Sequence, residues 1–429
     1  MMTVLGIAIF FVGLLVSVAW HELGHFTTAR WFGIKVPEFF VGFGRTVWSV
    51  KRGETRYGLK AIPLGGYVRM IGMLPPEKGG TLGRNRRTGP FQGLMDDARR
   101  QSQADVLPED ADRQFWTRAP WKRIIVMFAG PFMNLVLAVV LFGVTLIGIG
   151  MPTDGTRVGS VSECVVPATA PAEVCPPGAP PTPAAAAGLR TGDLIVGLNG
   201  RPFAETDGQA LREAIRVASG PAEIVVEREG QRVTLPVTII DNQVQSFDDP
   251  NQTVRAGFLG VGLTRTFAPQ TFGDVFLQVG DTIARTGQAI TEIPSRIPGL
   301  FGAAFLGEDR DPAGPMGIVG VSRIGGEILS QDAPWRFELF FFLQMLAAVN
   351  MSLFLLNLLP IPPLDGGQIL PAMWESLKRH GARLIGREDP GPVDAAKLLP
   401  VAYVFVMVFL AFSAVLVVAD IVNPVRLFG

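Results

Sequence analysis

The feature that most restricts how this chain can fold is a set of four apolar runs, at residues 2–20, 124–150, 339–359 and 398–418. A helix needs about 20 apolar residues to cross the ~30 Å hydrocarbon core of a bilayer, and each run is close to or above that length. The 429-residue chain is 48% hydrophobic with a mean hydropathy of +0.33, which is high for a soluble protein. The sequence therefore predicts a lipid-embedded protein with four helical spans.

Positive charge in the connections predicts how the spans are oriented. Loops on the cytoplasmic side carry an excess of Lys and Arg. The connections at residues 30–123 and 378–397 are both rich in these residues, so we expect both in the cytoplasm. Both termini and the long middle segment then lie outside. Because 38 basic residues balance 38 acidic ones, no nucleic-acid partner is expected.

Two of the three histidines belong to the motif His21-Glu22-Leu23-Gly24-His25, at the inner end of the first run. Residues four apart share one face of a helix, so two imidazoles can bind one cation. Zinc accepts such ligands, and a catalytic zinc keeps one position open for water. Glu22 is placed to take a proton from that water. Ionisable groups at membrane depth are costly and usually mark function.

The alternative for the first run is a cleaved secretory signal peptide, with residues 17–19 at the cleavage site. No Lys or Arg precedes this run, and its apolar stretch is long for a signal peptide. A retained span is the favoured interpretation.

A second polar group follows the third run. Asn357 precedes a segment with three prolines, and Asp365 comes directly after it. On the expected orientation, Asp365 lies at the same cytoplasmic depth as His21 and His25. A zinc ion with two histidines needs a third protein ligand, and Asp365 is the best candidate. The alternative is that Asp365 only caps a helix beyond the membrane.

The first cytoplasmic connection has two parts. Residues 36–70 predict short strands around a turn, with aromatic side chains that suit a membrane interface. This ribbon either flanks the site or is an exposed hairpin with no catalytic part. Residues 75–112 are polar and Gly-rich and predict a flexible insertion. In the second run, Gly-Pro at 130–131 loosens the helix, and Asn134 is expected to pack rather than take part in chemistry.

The middle segment alternates strand-like runs with turns, and residues 210–219 have helical spacing. Residues 187–200 resemble the GLxxGD signature of bacterial PDZ domains, which bind extended peptide ends by strand addition. The expected groove combines that helix with four strand residues, Val158, Gly159, Ser160 and Val161. The alternative is a small β domain that binds nothing.

The two cysteines, Cys164 and Cys175, lie in a Pro- and Ala-rich insertion of this domain. No histidine stands near them to complete a metal site, and the segment is expected outside the cytoplasm. A disulfide is therefore favoured.

Together these motifs resemble the site-2 protease family of intramembrane zinc metalloproteases, in particular its RseP-like bacterial branch. The resemblance rests on HExxH in the first span and NxxPxxxLDGG at residues 357–367. Shorter matches stand at residues 42–44, 63–67, 130–134 and 314–318. The chain departs from the best-known members, which carry two PDZ domains, because it has one such signature.

The resemblance implies a ligand set, His21, His25 and Asp365 for Zn²⁺, with Glu22 as the proton-transfer group. It also implies that Asn357 contacts the substrate backbone or polarises the scissile carbonyl. The ribbon containing Gly42, Phe43 and Gly44 is expected to hold the substrate extended. The implied substrates are single-span membrane proteins already trimmed outside, typically anti-sigma factors, or remnant signal peptides. The implied location is the bacterial inner membrane.

The expected fold class is a membrane α-helical protein with four transmembrane helices, a cytoplasmic-side β region and an extracytoplasmic α+β PDZ domain. The expected segments are 1–31 (first span), 32–120 (β region and insertion), 121–151 (second span), 152–248 (PDZ domain), 249–334 (connecting, amphipathic region), 335–368 (third span and LDGG), 369–396 (cytoplasmic loop), 397–422 (fourth span) and 423–429 (tail).

Two rival functions remain open at this stage. One is a membrane-anchored PDZ scaffold or chaperone with a degenerate protease site, which binds peptides without turnover. The other is a metal transporter, although the fourth run has almost none of the polar residues that an ion path needs.

Overall fold

The protein is described by a computed structural model covering residues 2–76, 91–104, 106–165, 175, 178–246, 252–312, 314–328 and 334–425. The chain forms two compact units, one of Met1–Thr145 with Phe272–Gly429 and one of Leu146–Thr271. The α-helices are α1 Met2–Trp31, α2 Gln92–Ala104, α3 Pro120–Gly143, α4 Pro183–Ala186, α5 Gly208–Val217, α6 Phe272–Phe305, α7 Ile318–Ile328, α8 Trp335–Asn357, α9 Asp365–Leu384 and α10 Leu399–Val422. The strands are β1 Glu38–Arg52, β2 Thr55–Arg69, β3 Met151–Val161, β4 Leu194–Leu198, β5 Arg201–Pro202, β6 Gly220–Arg228, β7 Gln231–Gln245, β8 Thr253–Phe258 and β9 Val261–Ala268.

Among the described residues, four helical segments are long and apolar enough to cross a membrane, and they confirm the four predicted spans. They are Val4–Trp31, Pro120–Ile149, Trp335–Asn357 and Ala395–Val422. The first lies within α1, which runs unbroken through HExxH. The second contains α3 and a π-helical turn, Val144–Ile149, that follows it.

Helices α1 and α3 approach each other closely at Gly24. A Cβ atom there would lie 2.4 Å from the carbonyl oxygen of Ala129, so only glycine allows this crossing. Phe26 of α1 and Val126 of α3 belong to the same buried hydrophobic cluster. The packing holds the C-terminal part of α1 against the first half of α3.

Strands β1 and β2 form the predicted β region as two 15-residue strands joined at Gly53. Residues 39–41 of β1 register with residues 57–59 of β2 and also with residues 66–68, so the hairpin curls back on itself. The bend falls at Gly42 and Gly44, whose φ angles are +94° and +83°. A side chain at Gly42 would meet the backbone of β2, so the curl depends on this glycine.

The prediction of a flexible insertion at residues 75–112 is wrong for its second half. Helix α2 and a 3₁₀ turn, Pro108–Arg113, occupy it. The hydroxyl of Ser102 accepts a hydrogen bond from the N–H of Leu74, and buried Asp110 pairs with Lys35. These polar contacts order a segment that offers few apolar residues as a sequence signal. Residues 77–90 and 105 lie outside the described residues.

The second unit is a seven-stranded sheet with strand order β8-β7-β6-β4-β3-β9, in which β5 pairs with β4. Its buried core includes Ile195, Leu211 and Ile239 from two strands and α5. The sheet includes β8 and β9, so the unit extends beyond the expected boundary at residue 248. The predicted disulfide is confirmed, with the Cα atoms of Cys164 and Cys175 5.9 Å apart.

Residues 314–320, for which the sequence suggested no role, are anchored to the end of α10. The buried carboxylate of Asp420 accepts hydrogen bonds from the N–H groups of Gly317 and Gly320, at 3.0 and 2.8 Å. Arg310 donates to the same carboxylate at 2.8 Å. The N-terminus of α7 is thereby capped by a side chain of α10.

Candidate metal centre

Three side chains from two distant parts of the sequence converge near the C-terminal end of α1. His21 and His25 lie one helical turn apart, and their Nε2 atoms are 3.1 Å from each other. Asp365, the first residue of α9, places Oδ2 3.2 Å from Nε2 of His21 and Oδ1 3.3 Å from Nε2 of His25. One donor atom from each residue can be chosen so that all lie within 4.8 Å of one another.

Asp365 reaches the histidines because the chain turns tightly after α8. At Gly366, a Cβ atom would lie 2.3 Å from the carbonyl oxygen of Leu359. At Gly367, it would lie 2.4 Å from the nitrogen of Pro362. The two glycines of LDGG thus let α9 begin directly against the preceding loop, and this close start fixes the position of Asp365.

Helix α3 shapes the other side of the cluster with residues spaced four apart. The carbonyl oxygen of Val126 lies 2.8 Å from Nδ1 of His25, which directs Nε2 towards Asp365. One turn later, Gly130 leaves room for the rings: its Cβ would lie 2.2 Å from Nε2 of His25 and 2.7 Å from Nε2 of His21. Neither ring could keep its place beside a larger residue.

The next residue of this stripe, Asn134, contacts His21. Its side chain is fully buried, and Nδ2 lies 3.3 Å from Nδ1 of His21. Asn134, which the sequence predicts to be a packing residue, lies beside a predicted zinc ligand. The spacing of Val126, Gly130 and Asn134 could have indicated one face opposite the HExxH histidines.

The three side chains fit a zinc ion. A tetrahedral zinc with bonds of about 2.0–2.2 Å holds its ligand atoms roughly 3.3 Å apart, close to the separations observed here. Oδ2 of Asp365 is buried and has no hydrogen-bond partner among the described residues, which is the condition of a metal-ligand oxygen. Both imidazoles are buried as well, so the cluster is enclosed by protein.

Glu22 lies between the cluster and the β hairpin. Its carboxylate is close to both histidines and within reach of the backbone N–H of Val68 in β2. At Gly66, a Cβ atom would lie 3.0 Å from Cγ of Glu22, so β2 passes directly over this side chain. The acid therefore faces both the donor atoms and the end of a strand.

The other predicted site residues lie apart from the cluster. Asn357 is the last residue of α8, is half-buried, and makes no side-chain hydrogen bond to any described residue. Phe43 stacks on Tyr67, with ring centroids 6.4 Å apart, and is 46% exposed between Gly42 and Gly44. None of these four residues shares a hydrogen bond with the three predicted ligands, and their roles stay predictions.

The predicted peptide groove at Val158–Val161 lies at the end of β3, which stands between β4 and β9 in the sheet order, and its role stays a prediction. Val158 registers with Leu263 of β9 on one side. On its other side, the N–H of Val158 donates to Asp193 and its carbonyl accepts from Gly192, both at 2.8 Å. Ser160 and Val161 also register with β9, whereas the described register of β3 with β4 is limited to Arg157 and Leu194. The two edge strands of the sheet order are β8 and β9.

Comparison with known proteins identifies the class to which this centre belongs. Residues 9–387 match Peptidase family M50. The chain is 35% identical over 445 residues to zinc metalloprotease Rip1 of Mycobacterium tuberculosis (strain ATCC 25618 / H37Rv), with all of both chains covered. It is 33% identical over 444 residues to zinc metalloprotease Rip1 of Mycolicibacterium smegmatis, again over the whole of both chains. To metalloprotease MmpA of Caulobacter vibrioides it is 28% identical over 385 residues, 86% of each chain.

Helices that can span a bilayer, joined to a cluster of two HExxH histidines and an aspartate, define a membrane metalloprotease. The chain belongs to peptidase family M50, the site-2 proteases. It is a zinc metalloprotease, and the resemblance inferred from its motifs is confirmed.

Proposed function

We propose that the protein cleaves peptide bonds inside the membrane-spanning segments of other proteins, with zinc held by His21, His25 and Asp365. The observation that carries this proposal is the convergence of those three side chains, within 4.8 Å, at the inner end of a helix that can span a bilayer. A helix that only anchors a protein in the membrane does not need such a cluster, because ionisable groups inside a membrane are costly.

Zinc bound there would polarise the scissile carbonyl and acidify a water molecule. Glu22 takes the proton from the attacking water and returns it to the leaving amine. The buried setting of the two histidines excludes bulk water from the reacting atoms. Asn357 contacts the substrate backbone near the scissile bond once the substrate has entered, a role that needs no partner in the free enzyme.

The end of β2 is placed to hold a substrate segment in an extended conformation next to the site. A helical substrate hides its peptide bonds, so the segment must be extended before attack. Among the described strands, residues 66–69 pair with β1 alone, and the N–H of Val68 is close to Glu22. A substrate strand added to this edge would run directly past the acid. The bend at Gly42 and Gly44, with Phe43 exposed between them, keeps the hairpin curled over the site.

The second unit acts as a PDZ domain that selects substrates. Its sequence signature, helix α5 and antiparallel sheet support this assignment. The groove formed by α5 and Val158–Val161 receives the extended end of a trimmed protein, and β9, which pairs with β3 alone among the described strands, offers a second edge for strand addition. Untrimmed substrates with large outer domains are excluded.

The proposed setting is the inner membrane of a bacterium, with the Lys- and Arg-rich connections in the cytoplasm and both termini outside. The substrates are then single-span membrane proteins shortened outside by another protease, such as anti-sigma factors, or remnant signal peptides. Each is a lone apolar helix that can diffuse laterally to the site.

The test compares wild-type enzyme with the Glu22→Gln variant on a single-span reporter substrate in detergent and in liposomes. Both proteins are expected to retain one zinc per chain, because Glu22 is not a ligand, while cleavage falls by about 10²–10⁴-fold in the variant. Cleavage by the variant at the wild-type rate would refute the assigned role. Wild-type protein that binds the reporter but never cleaves it would support a scaffold instead. Comparing membrane proteomes with the two forms then identifies natural substrates.

A further inference from the structure

The contact between Asn134 and His21 carries an inference that rests on the proposed zinc centre and extends it. A neutral imidazole has one protonated and one unprotonated nitrogen, and only the unprotonated nitrogen can bind a metal. For His25, the carbonyl oxygen of Val126 decides between them, because a carbonyl only accepts and so requires a proton on Nδ1. For His21, the facing group is the amide of Asn134, which can either donate or accept.

The two orientations of this amide have opposite consequences for His21. If Nδ2 donates to Nδ1 of His21, the imidazole proton must sit on Nε2, which faces Nε2 of His25 at 3.1 Å. The nitrogen aimed at the cluster is then closed to zinc. If Oδ1 accepts from a protonated Nδ1 instead, Nε2 presents its lone pair to the same space as His25 and Asp365. Amide oxygen and nitrogen have the same shape, so the pocket admits either orientation.

The two orientations of the Asn134 amide make the same number of hydrogen bonds, so this number does not distinguish them. With Nδ2 towards His21, Oδ1 of Asn134 is buried without a partner among the described residues. With the amide turned, Nδ2 takes that unpartnered position. The choice therefore falls to the interaction that differs between the two states, which is zinc at Nε2.

We propose that Asn134 is the positioning residue of His21: in the zinc form its Oδ1 accepts the Nδ1 proton and so directs the Nε2 lone pair to the metal. Outer groups of this kind fix both the tautomer and the ring orientation of histidine ligands. Here the three contacts come from one face of α3, with Val126 serving His25, Asn134 serving His21 and Gly130 leaving the space between them.

The test uses two substitutions at the position and one matched control. Asn134→Leu keeps the approximate volume and removes both hydrogen-bonding atoms. Asn134→Asp keeps an accepting oxygen and removes the donor. Asn350→Leu is the control, because Asn350 is likewise fully buried in a span but donates to Ser17 and Leu346, away from the cluster.

Zinc dissociation constants are measured for the full-length proteins in detergent by competition with a chelator. We expect Asn134→Leu to weaken zinc binding by about 10–100-fold, and Asn134→Asp and Asn350→Leu to stay close to wild type. Wild-type affinity in Asn134→Leu would overturn the proposal. An equal loss in Asn134→Asp and Asn134→Leu would also overturn it, because acceptance by Oδ1 would then not be what matters.

A second measurement does not require any variant at residue 134 to fold. Nitrogen-15 NMR of histidine-labelled, zinc-loaded wild-type protein reports which nitrogen of His21 carries the proton, with His21→Gln used for assignment. A protonated Nδ1 is expected, and a bare Nδ1 would overturn the proposal. If His21→Gln binds zinc as tightly as wild type, the zinc centre itself fails; zinc binding that depends on His21 but not on Asn134 removes only this inference.

Discussion

Gly130 offers the sharpest test of how α3 shapes the metal centre. A Cβ atom at this position would lie 2.2 Å from Nε2 of His25, whereas ordinary contacts begin at 3.4 Å. Because the nearest atoms belong to rings that α1 and Val126 hold in place, alanine at Gly130 must displace the ligand nitrogens by about 1 Å.

The expected loss follows from that displacement. A shift of about 1 Å in a reacting group costs roughly 100-fold in rate, which corresponds to about 2.7 kcal/mol at 1.36 kcal/mol per factor of ten. In contrast, alanine favours a helix over glycine by about 0.8–1.0 kcal/mol. Gly130→Ala therefore should not unfold α3, and the lost activity reflects the displaced ligands.

The control is Gly143→Ala, at the other end of the same helix, where a Cβ atom meets nothing within 4 Å. Zinc content is measured by elemental analysis after purification, and kcat/KM with the single-span reporter. Gly130→Ala is expected to lose zinc and at least about 100-fold in kcat/KM, while Gly143→Ala behaves as wild type. Equal zinc content and turnover in the two variants would refute the geometric argument.

Three further predictions concern the ligand aspartate, a buried ion pair and the second unit. Asp365→Asn should lower zinc stoichiometry measured by elemental analysis while helix content by circular dichroism persists; unchanged stoichiometry removes it as a ligand. Arg123→Met removes one of the two arginines that pair with buried Glu375, at 2.5 Å, and leaves Arg379 at 2.9 Å, so thermal unfolding should show a loss of about 1–3 kcal/mol that Arg123→Met/Glu375→Met largely restores. In the second unit, hydrogen bonds from Arg228 lower the pKa of Asp193. The stability that this pair contributes is complete above the unfolded-state pKa of about 3.9, and it is lost as the pH falls through the lowered pKa of the folded state. Hydrogen-exchange protection factors of the full chain, which compare each measured rate with the intrinsic rate at the same pH, should therefore fall in this unit on acidification, and less so in Arg228→Met; equal slopes contradict the assignment.

The sequence was sufficient for the elements whose signals are local. Apolar runs predicted the spans, because a bilayer sets a length that few other structures require. HExxH predicted two converging imidazoles, because four residues make about one helical turn. Asp365 required a non-local step, namely that charge in the connections places it at the same membrane depth as His21 and His25.

The sequence was insufficient where the outcome depends on pairing between distant segments. Residues 158–161 have the alternation of any strand, and only the sheet register shows that β9 pairs along them. Residues 92–113 lack an apolar signal, because their order comes from polar contacts such as Lys35 with Asp110. Asn134 resembles a packing residue until the opposite helix is known.

Helix α3 links the two halves of the site, although it supplies none of the three predicted ligands. Towards α1 it offers Val126, Gly130 and Asn134 to the two histidines. Towards α9 it offers Arg123, whose ion pair with Glu375 lies ten residues beyond Asp365. The position of Asp365 therefore depends on two contacts, the close start of α9 against the loop at Gly366 and Gly367 and the packing of α9 on α3. Substitutions on this face of α3 should therefore weaken zinc binding more than substitutions in α8 that lower the free energy of unfolding by the same amount.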